Sequence, residues 1–246
     1  MIYLFTDFGG GGIYVGQVQA ALWRRAPDVP VVSLVTDAPA FNPRAAAHLL
    51  AALAGEFLPG DVCLAVVDPG VGGTRRPLVL QADGRWFVGP DNGLLDVCAA
   101  RAREARAWEI LWRPARLSGS FHGRDLFAPV AARLALGEAP AAIGCRPCAI
   151  ELKDVGGLPE VIYIDGYGNA MTGIPATTLA DDARLEVAGH VLRYARVFEA
   201  AAPGTAFWYR NSCGLVEIAV NRGSAARALG LEVGMPVRIL PDGSEP

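Results

Sequence analysis

The chain has 246 residues, 52% hydrophobic and 19% charged, with a formal net charge of −3. That is enough apolar material for one or two globular domains with a true core, and the slight acidity argues against nucleic acid as a main partner, because phosphate neutralisation needs clustered Lys and Arg. No apolar run reaches the roughly 18 residues that cross a bilayer, and the N-terminus MIYLFTD has neither the basic region nor the cleavage site of a signal peptide, so a cytoplasmic protein without a membrane partner is expected.

In chain order, IYLFT (2–6) reads as a buried strand and is followed by a helical pattern from about Ile13 to Ala26. VPVVSLV (29–35) is strand-like, Pro43 to Gly55 reads as an Ala/Leu-rich helix with His48 as a structural residue, and DVCLAVVD (61–68) is a third strand. This alternation predicts an α/β domain with a largely parallel, Rossmann-like sheet. PLVLQADGRWFVG (77–89) predicts a hairpin turning at Asp83-Gly84, and helices are expected near 91–105 and 125–136. Cys145-Arg-Pro-Cys148 is a lone CxxC, open to reading as a redox pair, half a zinc site or an incidental loop pair. Five cysteines without a visible signal peptide point to reduced thiols.

After about residue 150 the texture changes. VIYI, RLEVAGHVLRYARV, AFWYR, LVEIAV and MPVRIL are short β-forming runs separated by turns, with His190 expected at a hairpin turn. They predict a smaller β-sandwich or barrel. The expected boundary lies near 150–158, with an α/β domain at 1–152 and a β-rich domain at 159–246.

The glycine run in TDFGGGGIYVG (6–16) invites a phosphate reading and fails it. Gly11 and Gly16 have the Walker spacing, but Gln17 and Val18 stand where Lys and Ser or Thr are required, and Tyr14 or Val15 breaks the dinucleotide fingerprint. Asp7 is the more informative residue. It follows the first strand, where open α/β sheets bind ligands, and a carboxylate there suits ribose hydroxyls and repels phosphate.

Three further stretches carry candidate chemistry. In VVDPGVGGTRRP (66–77), the glycines allow Arg75 or Arg76 to return toward Asp68. In SGSFHGRDLFAPVAARLA (118–135), His122 lies in a Gly/Ser loop before a helix that Asp125 is placed to cap. In DGYGN (165–169) and NSCGLVEIAVNRG (211–223), Asp165, Tyr167, Asn169, Asn211, Ser212, Glu217 and Asn221 suit either recognition of an adenine edge and face or ordinary turn chemistry.

Taken together, TDFG, VVDPGVG-x-x-RR, GPDNGLL, SFHGRD-x-FAPVAA, GNAMT and NS-x-G-x-x-EIAVN-x-G-x-AA resemble the S-adenosyl-L-methionine hydroxide adenosyltransferase family, relatives of the fluorinase and chlorinase, from about residue 2 to about residue 240. The resemblance implies an N-terminal α/β domain, a C-terminal β-barrel-like domain and a homotrimer with active sites between neighbouring subunits. It implies hydrolysis of S-adenosyl-L-methionine to adenosine and L-methionine, and no cofactor or metal is expected, because an arginine amid Asp7, Asp68 and His122 opposes a cation. It places water handling on Asp68, Arg75 and His122, with the base left open between Asp68 and His122. It places ribose binding on Asp7, adenine contact on Asn169, further adenine and methionine contacts on Ser212, Glu217 and Val220, and an aromatic beside the sugar on Phe41. Cys213 stands where the fluorinase has an arginine after its methionine-binding serine. The rival readings are a halide-dependent 5′-halo-adenosine synthase, a non-catalytic S-adenosyl-methionine or adenosine binder, and, weakened by the broken fingerprint, an NAD-type oxidoreductase.

Overall fold

The structure is a computed structural model that describes residues 1–153 and 155–240; the last six residues of the expected second domain, 241–246, lie outside the described residues. The chain divides into two compact units, Met1–Val155 and Gly156–Pro246.

The first unit begins with the expected alternation: β1 (Ile2–Thr6), α1 (Ile13–Trp23), β2 (Val31–Val35), α2 (Pro43–Leu53) and β3 (Val62–Val66). Helix α2 starts where its chemistry dictates, with Pro43 in the first turn and the Asn42 side chain accepting the Ala45 N–H at 3.0 Å. β4 (Pro77–Ala82) and β5 (Arg85–Pro90) form the hairpin. Its two turn residues, Asp83 and Gly84, have φ of 49° and 79°, as a type I′ turn requires.

The expected helix near 91–105 shrinks to α3 (Asp96–Arg101), and a strand, β6 (Ala105–Ile110), follows. Although ARAREARAW has helical composition, the Asp83 carboxylate accepts the N–H groups of Arg103 and Glu104 at 3.0 and 3.1 Å. That holds the chain in register with β4, where Ala107 lies opposite Leu80. Tertiary pairing outweighs local propensity here. The expected helix at 125–136 opens as a π-turn, Gly123–Phe127, that runs into α4 (Ala128–Ala135). Asp125 is therefore inside the first turn, and it caps nothing: its carboxylate accepts the Ser118 N–H instead.

After α5 (Pro140–Ile143), the CxxC stretch is itself a strand, β7 (Cys145–Cys148), paired with β6. Residues three apart on a strand point to opposite faces, so Cys145 and Cys148 cannot bridge each other or share a metal. The five cysteines are free thiols.

The sheet order is β2-β1-β3-β5-β4-β6-β7. Strands β2, β1, β3 and β5 are parallel, and β6 shares their direction because both it and β5 run antiparallel to β4. Helices α1 and α4 pack together over Ile2, Leu4, Val62 and Leu64, while α2 packs on α3. The chain leaves β1 toward β2 on one side and returns to β3 on the other. The carboxyl ends of β1 and β3 therefore flank the point where the winding reverses, the usual place for a ligand crevice.

The second unit is antiparallel. β8 (Leu158–Ile164), β9 (Ala170–Pro175), β12 (Ala206–Arg210) and β13 (Leu215–Val220) form a four-stranded sheet in the order β12-β13-β9-β8. β10 (Arg184–Val187), β11 (His190–Leu192) and β14 (Arg238–Leu240) form a three-stranded one, and α6 (Ala225–Leu229) follows β13. His190 begins β11 directly after the Ala188-Gly189 turn. Trp208 fills the core between Leu185, Val216 and Ile218, its indole N–H donating to the Ala183 carbonyl at 2.9 Å.

His48 is fully buried in α2 with neither ring nitrogen hydrogen-bonded. Burial, reinforced by the charges of Arg101 and Arg44, pushes its pKa down to about 4 from 6.5. The unfolded chain therefore binds a proton between those values that the folded chain refuses, and stability is lost as pH falls through that window. His48→Leu should remove about 3 kcal/mol of this acid sensitivity, measured as the difference between wild type and variant in urea unfolding at pH 7 and near pH 4.

Candidate active site

The loops after β1, β2 and β3 are knitted by backbone bonds: Gly9 N–H to Thr36 O at 2.6 Å, Ala38 N–H to Thr6 O at 3.0 Å, and Asp7 N–H to Val66 O at 3.4 Å. With the segment 120–123 they line a cavity of about 250 Å³, whose walls include Asp7, Phe8, Tyr14, Phe41, Asp68, Phe121 and His122. Gly9 to Gly12 do not line it. Burial raises the pKa of Asp7, while the backbone N–H groups of Phe41 and Asp7 pull it down and nearby Asp68 pushes it up. Phe41 has φ of 59° and is 80% exposed. A left-handed backbone at a bulky residue costs free energy and persists where the surroundings impose it; here its N–H faces the Asp7 carboxylate.

The three water-handling candidates meet. Arg75, the nearer of the two arginines in question, returns to Asp68: its Nε lies 3.1 and 3.0 Å from Oδ1 and Oδ2, and its Nη2 also donates to Oδ2. Nη2 reaches His122 Nδ1 at 3.0 Å as well. Arg76 turns away to Asp91, Nε to Oδ2 at 2.7 Å. The Asp68 and Arg75 side chains are only 4% and 10% exposed, and the Arg75 guanidinium lies 5.2 Å from the Phe127 ring centroid, a favourable cation–π arrangement. Because a guanidinium only donates, His122 Nδ1 must accept, which makes the imidazole neutral with its proton on Nε2. The electrostatics agree: burial first, then Arg75 and Arg113, lower the His122 pKa against the opposing pull of Asp68 and Asp125.

Two close contacts fix these loops. A Cβ at Gly72, whose φ is 79°, would fall on the Gly119 carbonyl oxygen, so the loop carrying His122 rests directly on the turn between Asp68 and Arg75. Asn92 donates to the Val67 carbonyl at 2.9 Å, holding the residue before Asp68.

In the second unit, Asp165, Tyr167, Asn169 and Val220 line a cavity of about 570 Å³ with Phe198 and Tyr209. Asp165 Oδ1 accepts the N–H groups of Tyr167 and Asn169, both at 2.9 Å, which leaves the Tyr167 ring 83% exposed. Ser212 and Glu217 do not line this cavity. Glu217 is buried, its two oxygens accepting Tyr209 OH and Asn211 Nδ2, each at 2.7 Å, and its pKa is raised mainly by burial. Ser212 is exposed in the turn that Asn211 holds through the N–H groups of Cys213 and Leu215.

Sequence models of the SAM hydroxide adenosyltransferase N-terminal and C-terminal domains match residues 2–144 and 159–238. The chain belongs to the SAM hydroxide adenosyltransferase family. It is 39% identical to a Thermus thermophilus protein named (R)-S-adenosyl-L-methionine hydrolase, over 97% of this chain and 99% of that one. A Salinispora arenicola protein of the same name is 38% identical, over 95% of each chain. Among solved structures, an uncharacterized conserved protein from Thermotoga maritima superposes with a TM-score of 0.88 at 33% identity, covering 98% of this chain and 100% of its own. A conserved hypothetical protein from Thermus thermophilus gives 0.77 at 37% identity, covering 97% and 99%.

Several residues that line the cavity carried no signal in the one-dimensional pattern. Phe8, Tyr14 and Phe121 pack together, with the Phe8–Phe121 and Tyr14–Phe121 pairs edge to face at centroid distances of 5.8 and 5.3 Å, forming an apolar wall to the cavity. Their sequence separation hid them, although TDF and SFH both place an aromatic beside a polar candidate. Among the described residues no three His, Cys, Asp or Glu side chains converge on a metal-sized site.

The Asp68–Arg75 pair should be strongly coupled. Arg75→Met leaves Asp68 buried without a counter-ion and should cost about 3–5 kcal/mol. Adding Asp68→Asn should recover most of that loss, as a double-mutant cycle in chemical denaturation would read out.

Proposed function

We propose that the chain hydrolyses S-adenosyl-L-methionine to adenosine and L-methionine by attack of an activated water or hydroxide at the ribose 5′ carbon. The observation that carries this reading is the Asp68–Arg75–His122 hydrogen-bonded set, whose Asp68 and His122 line the same cavity as Asp7, in a chain whose relatives are named for this hydrolysis.

The sulfonium leaves as a neutral thioether and takes the C5′–S electron pair with it. The difficulty lies on the other side of the carbon, where water is a weak nucleophile and hydroxide is scarce. Arg75, bonded to both Asp68 and His122, supplies positive charge that favours the deprotonated form of a water held by those two residues. With His122 Nδ1 occupied by Arg75 and its proton on Nε2, the imidazole orients the water by donating to it, and the Asp68 carboxylate takes the proton. The oxygen–carbon bond forms as the carbon–sulfur bond breaks, and the site's task is to hold the two in line, with reacting atoms ~3–3.5 Å apart.

Asp7 holds the ribose hydroxyls and Phe41 packs beside the sugar. Asp165, Tyr167, Asn169, Ser212, Glu217 and Val220 serve the adenine and methionine portions, with Glu217 acting from within its buried network. No cofactor and no metal enter this scheme. The homotrimer and a cytoplasmic location belong to the same reading, and light scattering at three times the 25.9 kDa chain mass tests the former.

Incubation with S-adenosyl-L-methionine in heavy-oxygen water should give adenosine labelled at the 5′-OH. A 5′-halo-adenosine formed when chloride or fluoride is added, or substrate left intact over hours, would replace this reading by halide chemistry or by simple binding. Asp68→Ala, Arg75→Ala and His122→Ala should each lower adenosine release by about 10²-fold or more while the fold persists in circular dichroism. Three variants with near wild-type turnover would remove the set from the mechanism.

A further inference from the structure

Two charged residues next to His122 have no part in the chemistry above. Arg124 and Asp125 lie in the π-turn Gly123–Phe127, a rare geometry that recurs at functional sites. They form a bidentate pair with each other, Nε to Oδ1 at 2.6 Å and Nη2 to Oδ2 at 2.9 Å. Each also reaches outward. Arg124 Nη1 donates to Gln17 Oε1 on α1 at 2.8 Å, and its guanidinium lies 4.9 Å from the Phe121 ring centroid. Asp125 Oδ2 accepts the Ser118 N–H at 2.9 Å.

Ser118 opens the loop that His122 ends, and Phe121 immediately precedes His122. The pair therefore grips that loop at both ends, while Gly72 meets its middle at the Gly119 carbonyl. Phe121 also packs against Phe8 and Tyr14 and its carbonyl accepts the Asp125 N–H at 3.2 Å, but the hydrogen bonds within the loop are long: Phe121 N–H to Ser118 O at 3.4 Å and Ser120 N–H to Ser118 Oγ at 3.4 Å.

We propose that Arg124 and Asp125 are positioning residues for His122: together they clamp the Ser118–His122 loop so that the imidazole Nδ1 stays against Arg75. The effect on turnover rests on the assignment of Asp68, Arg75 and His122 as the water-handling set; the effect on the ring's position does not.

The charged groups that face His122 are Arg75 and Arg113, which lower its pKa, and Asp68 and Asp125, which raise it. Deleting the Asp125 charge alone would therefore shift His122 titration downward. Releasing the clamp frees the ring from burial and from Arg75 and shifts it upward. The two effects have opposite signs, so one titration separates them.

The test is NMR titration of the His122 ring, assigned among three histidines by His122→Ala, in wild type, Asp125→Ala and Gly72→Ala. The last variant disturbs the same loop from the opposite side without removing a charge. Both should raise the His122 pKa by about half a unit or more. An unchanged or lowered value in Asp125→Ala overturns the proposal; if that variant does not fold, Arg124→Met, expected to raise the value likewise, decides. In turnover, Asp125→Ala should lower kcat about tenfold with KM nearly unchanged, and Asp125→Asn, which keeps an acceptor for Ser118, should recover most of it. In a His122→Ala background, Asp125→Ala should cost nothing further; an equal loss there would mean that the clamp does not act through His122. A wild type that releases no adenosine would end the hydrolase reading and leave the titration to decide the clamp.

Discussion

The ion pair between Asp68 and Arg75 is the interaction on which the rest of the site depends. Both side chains are almost entirely withdrawn from water, and two charges so placed are tolerable only when their geometry is good and their remaining donors are used. Arg75 meets that condition by dividing its donors between the Asp68 carboxylate and His122 Nδ1 while its guanidinium rests near the Phe127 ring. The pair is a structural strap across the 68–75 loop, and its Asp68 member reaches the cavity wall. It also decides the protonation of His122, because a guanidinium cannot accept a hydrogen bond.

The fold sets the cavity beside this pair where it reverses its winding. Asp7 follows β1 and Asp68 follows β3, neighbouring parallel strands, so two carboxylates far apart in the sequence face one cavity. The resulting repulsion contributes to the raised pKa of Asp7, although burial is the larger cause. The strained backbone of Phe41 directs an N–H at that carboxylate and so offsets part of the cost. The glycines after Asp7 serve a different end. Gly9 turns the chain in a left-handed conformation, and Gly12 enters α1 without a side-chain cap.

The second unit is organised by a buried network of its own. Glu217 is held by Tyr209 and Asn211, and Asn211 in turn sets the turn that presents Ser212 and Cys213. A buried carboxylate with both oxygens occupied is favourable to keep and costly to disrupt. The exposed Tyr167 ring and the cavity beside it are therefore built on a rigid base.

Much of this was legible in the sequence. The strand–helix alternation that leads to Asp68, the type I′ hairpin at Asp83-Gly84 and the antiparallel character of the second unit all follow from local periodicity and turn chemistry. The motif residues Asp7, Asp68 and His122 could be picked out by position alone, since each stands at the end of a strand or in a loop before a helix. What the sequence left open was decided by contacts between distant segments. Arg75 rather than Arg76 meets Asp68 because Asp91 takes the other arginine. β6 is a strand because Asp83 captures the backbone at 103 and 104. The CxxC cysteines are kept apart because β7 pairs with β6. Asp125 clamps a loop instead of capping a helix because the helix begins early, in a π-turn. Local pattern determines which elements form, because backbone propensity and hydrophobic period act over a few residues. The partner of a charge is chosen by geometry that exists only once the sheet has brought its loops together.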